Sequence, residues 1–175
     1  MSRQIKNIIA ITVFLICISL INVAGQNIEI EIRGMNAFTF ILIIAVLLQV
    51  IFFIPSFLLK TEKYYDLVGS LTYVTTVSLA YFAVENKTMI DSIIYFYVMV
   101  WALRLGIYLF RRVRNDGKDV RFEKAKRHFF WFLQYWMGQA LWVSLTACAA
   151  IIAILSPEED TLPVLAMVGM ALWLS

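Results

Sequence analysis

Five apolar runs, at residues 8–24, 37–59, 67–84, 93–110 and 129–155, follow one another with only short polar segments between them. An α-helix rises 1.5 Å per residue, so about 20 apolar residues cross a hydrocarbon core of roughly 30 Å. Over 175 positions the chain is 62% apolar and 15% charged, far from the roughly 45–50% apolar of a soluble domain. The expected fold is all-α: a polytopic transmembrane helical bundle, one domain over residues 1–175, with five full spans plus a sixth cut short. The first run, preceded by Arg3 and Lys6, is expected to be a retained helix. The small residues Val23-Ala24-Gly25 before Gln26 leave signal-peptide cleavage as the alternative. The last run, residues 162–175, would reach about 21 Å as a helix, less than a full crossing. The chain is therefore expected to be truncated.

Charge fixes the expected orientation. Alternating the spans places the N-terminus, the 60–63 turn and the 111–128 loop on one side, with twelve Lys and Arg residues, against Arg33 and Lys87 on the other. Basic residues collect in cytoplasmic loops, so the N-terminus is expected to be cytoplasmic. The membrane would be that of the endoplasmic reticulum in a eukaryote, or the inner membrane in a bacterium. Because topology segregates the basic residues, the net charge of +3 is no argument for nucleic acid. The two cysteines, Cys17 and Cys148, lie within apolar runs, and with one histidine there is no spacing for a metal site. The sequon Asn86-Lys87-Thr88 falls on the far side, too close to two helix ends for modification to be expected.

Ionisable groups inside a bilayer need a partner or a wet cavity. Tyr97, Trp101, Arg104, Tyr108 and Arg111 recur at spacings of four and three, which puts them on one face of the fourth span. Asp66 opens the third span, and Gln134 lies about 9 Å into the fifth, at a depth similar to Arg104. The neighbouring spans that carry Asp66 and Arg104 are antiparallel, so these two are expected to pair. Such a cluster suits a polar cavity open to the cytoplasm that admits an anionic ligand. An ion pair that locks the bundle, with Arg104 snorkelling to the interface, is the competing reading. In the loop, Asp116-Gly117 signals a turn, and Gly-Lys-Asp-x-Arg at 117–121 presents two cations suited to a phosphate. Topological retention and attraction to anionic membrane lipids explain the same charges. The aromatic residues at 129–136 read as an interfacial belt, and Gly138 as a point of close helix packing.

The run TEKYYDLVGSLTY at 61–73, then Arg104-Leu105-Gly106, Arg111-Arg112 and Gly117-Lys118-Asp119-Val120-Arg121, resemble in order and spacing the DUF1295 family. The similarity covers roughly residues 40–175, and that family belongs to the steroid 5-alpha-reductase-like membrane reductases. The resemblance implies NADPH-dependent reduction of a carbon–carbon double bond in a hydrophobic, lipid or steroid-like substrate. It makes Asp66, Arg104, Lys118, Asp119 and Arg121 the candidates for the nucleotide, and Tyr97 the candidate proton donor. Relatives continue into a C-terminal half with a His-Pro-Asn-Tyr-type motif, which residues 1–175 lack, so an N-terminal portion is expected. Two other functions stay open: a non-catalytic membrane bundle that binds lipid or a partner helix, and a membrane methyltransferase.

Overall fold

The computed structural model describes residues 2–116, 120–156 and 169, and every structural statement below concerns those residues. It is all-helical apart from one small hairpin. The helices are α1 (Arg3–Val23), α2 (Ala37–Leu58), α3 (Tyr65–Ala83), α4 (Met89–Asp116) and α5 (Phe129–Leu155). Two 3-10 turns, Val120–Phe122 and Ala125–Arg127, lie between α4 and α5. Four helices, α1, α2, α4 and α5, are long and apolar enough to cross a membrane. The Ser, Thr and Tyr residues of α3 keep it out of that set. The expected sixth segment, residues 162–175, lies outside the described residues apart from Gly169.

Local chemistry accounts for the helix ends. The polar segment between the first two apolar runs folds into a hairpin in which Glu31–Ile32 pairs with Met35–Asn36. Its two-residue turn puts Arg33 at φ 55° and Gly34 at φ 75°, the left-handed geometry that matches strand twist. Asn36 then caps α2: its Oδ1 accepts from Thr39 N at 3.0 Å, while its Nδ2 donates to Gly25 O and Ile28 O. At the other end of α2 the backbone closes a Schellman motif, in which Lys60 N donates to Phe57 O and Thr61 N to Ser56 O. Lys60 takes the left-handed position at φ 50°. A capping box starts α4, with Thr88 N donating to Asp91 Oδ2 at 2.8 Å and Asp91 N to Thr88 Oγ1 at 3.1 Å. The hydroxyl of the sequon threonine is thereby engaged in a helix cap.

α3 and α5 form the centre, with α2 against both, α4 chiefly on α3 and α1 chiefly on α5. α3 runs antiparallel along α4. Asp66 meets Arg112 at one end, Ser70 Oγ donates to Ala102 O at 2.6 Å midway, and Tyr81 stacks on Tyr95 at the other. That contact is close because Gly106 faces Ser70: a Cβ there would run into the serine hydroxyl. Small residues drive helix association in lipid, where apolar side chains gain little by leaving one hydrocarbon for another.

The core divides in two along the bundle. The half around Phe38, Ile41, Val77 and Ile154 is mainly aliphatic. The other half is aromatic, built on Phe53, Phe122, Phe132 and Trp136, and it lies beneath the charged loop. Inside the bundle Gln49 Nε2 donates to Thr72 Oγ1 at 2.9 Å, both residues fully buried.

Candidate functional site

Two ion pairs lie at one end of the bundle, where α2 gives way to α3 and α4 to α5. Glu62, in the turn before α3, is buried, and its Oε2 accepts from Lys126 Nζ at 2.8 Å. One turn on, Asp66 Oδ2 accepts from Arg112 Nη2 at 3.3 Å. At the same end the Arg3 guanidinium lies 4.6 Å from the centre of the Trp131 ring, which brings the start of α1 to the start of α5. The N-terminus, the 60–63 turn and the loop before α5 therefore share one end, as the alternation of spans requires.

The loop is folded onto the bundle. Its two 3-10 turns bury Phe122 and Ala125 and expose Arg121, Glu123, Lys124 and Arg127. The Phe122 ring sits 4.8 Å from Tyr65, 4.9 Å from Tyr135 and 6.0 Å from Phe132. The Arg121 guanidinium lies 5.3 Å from that same ring. An aromatic plug thus carries the cations and fixes their position over the membrane end of α3 and α5. Lys118 and Asp119 lie outside the described residues.

The expected pairing of Asp66 with Arg104 does not form. α4 extends to Asp116, beyond the apolar run, and delivers Arg112 to Asp66 instead. Arg104 lies on the exposed side of α4, with Trp101 37% and Tyr108 64% exposed, and among the described residues it makes no hydrogen bond or ion pair. The five-residue stripe is real but faces mainly outward, with Trp101 touching α3 through the Tyr73 ring at 4.8 Å. Ala102, Gly106 and Val113 lie on the buried side. Tyr97 is half-buried beside Phe96, about 22 Å along the helix from Arg112.

Gln134 makes no hydrogen bond to Arg104 among the described residues. It lines a groove of about 420 Å³ on α5, together with Tyr135, Gly138, Gln139 and Trp142 of that helix, Phe14 of α1 and Tyr65 of α3. The Tyr65 hydroxyl closes the rim end of this groove by donating to Tyr135 O at 2.9 Å. Gln139 Oε1 is buried and has no hydrogen-bond partner among the described residues. Glu62, Phe122 and Gln139 are the residues that sequence reasoning missed. An acid beside a tight turn and one aromatic within a basic loop were the available signals for the first two. Among the described residues no three His, Cys, Asp or Glu side chains group as metal ligands would.

Residues 52–175 match the model of a family described as a protein of unknown function, DUF1295. No curated protein and no solved structure matched the chain.

Proposed function

We propose, since the chain belongs to the DUF1295 family, that it forms the membrane-embedded part of an NADPH-dependent reductase. Its substrate would be a carbon–carbon double bond in a lipid or steroid-like molecule, as the resemblance to steroid 5-alpha-reductase-like proteins implies. In this reading α3 is a fifth crossing. It runs antiparallel to α4, and its 19 residues extend about 28 Å, close to a hydrocarbon core. The basic end faces the cytoplasm, where the nucleotide is found.

The observation that supports the reading is the charged rim. Arg112 and Arg121 are both exposed at the end of the bundle where Asp66 and Glu62 are held. Guanidinium groups fit phosphate oxygens through paired N–H donors, so Arg112 and Arg121 would hold the phosphate end of the nucleotide. When bound, the nicotinamide would supply a hydride to the electron-poor alkene carbon. The aromatic cluster around Phe122 and Trp136 gives that end a fixed, apolar floor. Tyr97 stands far along α4 from Arg112, so a nucleotide that reached it would have to lie lengthwise in the bundle.

The test is a titration of NADPH into the detergent-solubilised protein. Saturable binding is expected, weakened about tenfold by Arg121→Ala, the loss of roughly one charge-assisted hydrogen bond. No binding in a sample with intact helical circular dichroism would remove the reductase reading for this chain.

A second reading, a non-catalytic bundle that binds a partner helix, is supported by one observation. Arg104 shares an exposed helix face with Trp101 and Tyr108, and a cation at that depth is costly against lipid alone. Nucleotide-independent loss of an assembly on Arg104→Leu would favour it.

A further inference from the structure

The outward face of α4 carries a charge that the bundle leaves unanswered. At the pitch of an α-helix, Ala102, Gly106 and Val113 stand within about 20° of the point opposite Arg104, and all three are buried. Arg104 therefore projects away from α3, the helix on which α4 chiefly packs. Tyr108 and Arg111 stand within about 40° of it, and both are exposed.

Depth makes this costly. Asp91 and Arg112 lie about 32 Å apart along α4, close to the thickness of a hydrocarbon core, and Arg104 falls about 12 Å short of Arg112. Helical side chains lean toward the helix N-terminus, which in α4 is the end away from the charged rim. Snorkelling back to that rim runs against the lean. Among the described residues no acceptor meets the Arg104 guanidinium, either by hydrogen bond or by ion pair. A cation held at that depth needs an acceptor that is not water.

A second copy of the chain is a poor source of one. Two copies share one orientation in the membrane, so a two-fold contact through this face sets Arg104 against Arg104 and Arg111 against Arg111. Low dielectric magnifies that repulsion. Lipid phosphates lie at the membrane surface, nearer the depth of Arg112 than of Arg104.

We propose that this face docks a partner's membrane helix carrying an aspartate or glutamate at the depth of Arg104. The carboxylate accepts two parallel hydrogen bonds from the guanidinium. Tyr108, one turn nearer the rim, donates its hydroxyl to the same group. The inference rests on the partner-helix reading above and gives that partner its chemistry.

The experiment places the full chain in lipid nanodiscs with synthetic polyleucine membrane helices. These are identical except at one position, about eight residues from a lysine-flanked end, which matches the spacing from Arg104 to Arg112. That position is Glu, Gln or Leu. Association is read as energy transfer from a donor at Lys63→Cys, with Cys17 and Cys148 replaced by alanine, to an acceptor on the lysine-flanked end. The glutamate helix should associate about tenfold more tightly than the leucine helix, as one charge-assisted hydrogen bond predicts. Arg104→Leu should remove the difference and Arg104→Lys should keep most of it, each with unchanged helical circular dichroism. Should Arg104→Leu fail to fold, the comparison of helices on the protein that retains Arg104 decides alone. Glutamate held no better than glutamine or leucine, or a glutamate preference that Arg104→Leu leaves unmoved, overturns the carboxylate and leaves the partner-helix reading standing. Association with none of the helices overturns both.

Discussion

Glu62 and Lys126 lie 64 positions apart and meet at 2.8 Å, with the carboxylate side chain only 4% exposed and the ammonium side chain 20%. This pair ties the α2–α3 turn to the loop before α5. Its two partners are not equivalent. Lys126 can swing its charge to water, whereas Glu62 is enclosed.

Removing the lysine should therefore cost more than removing the acid. Lys126→Met takes one charged hydrogen-bond partner from an enclosed carboxylate, at a cost of about 1.5–3 kcal/mol, while Glu62→Gln should cost less. The double substitution should be more stable than Lys126→Met alone. Thermal unfolding in detergent across the four proteins measures this, and simple additivity would show that the pair carries no coupling.

The contact between α3 and α4 makes a second prediction. Gly106→Ala places a methyl group against Ser70 Oγ and should destabilise the bundle by about 1–3 kcal/mol. Ser70→Gly in the same protein should restore part of the loss by reopening the space. If Gly106→Ala is neutral, the two helices are not in close contact.

Gln49 and Thr72 make a third. Thr72→Val strands the Gln49 amide nitrogen in the core, with an expected cost of about 1–2 kcal/mol. Gln49→Leu should be neutral or stabilising, because Gln49 Oε1 has no partner among the described residues and leaves with its side chain. A larger cost for Gln49→Leu than for Thr72→Val would refute this account of the pair.

Orientation can be read by labelling. In a protein with Cys17 and Cys148 replaced by alanine, Lys63→Cys and Arg127→Cys should react with an impermeant thiol reagent from the same side, and Lys87→Cys from the other. All three positions are exposed. The basic bias predicts that the shared side is the cytosol. Reaction of Lys63→Cys and Lys87→Cys from one side would mean that α3 does not cross.

Much of this architecture is legible in the sequence. The second and fifth apolar runs become α2 and α5 almost residue for residue, and the turn at 60–63 and the loop at 111–128 share one end. The rotation of α4 was not legible. Aromatic and cationic residues at helical spacing suggested the inward face, yet small residues decide helix contact in lipid. Ala102 and Gly106 pack on α3, so the stripe with Arg104 turns outward and Arg112, eight positions on, meets Asp66. The hairpin at 31–36 and the burial of Phe122 escaped for a related reason. Each depends on what a short polar stretch finds when it folds back, and periodicity carries no record of that.

The wedging of Phe122 among Tyr65, Phe132 and Tyr135 bears on how the loop meets proteases. Eight Lys and Arg residues between 111 and 128 make it, by composition, an inviting stretch for trypsin. A protease takes an extended strand, however, and residues 120–127 form two 3-10 turns with Phe122 and Ala125 buried. The peptide bonds after Arg121 and Lys126 cannot straighten until that ring leaves its neighbours, so the rate of cutting there follows the opening of the aromatic layer rather than the number of basic residues.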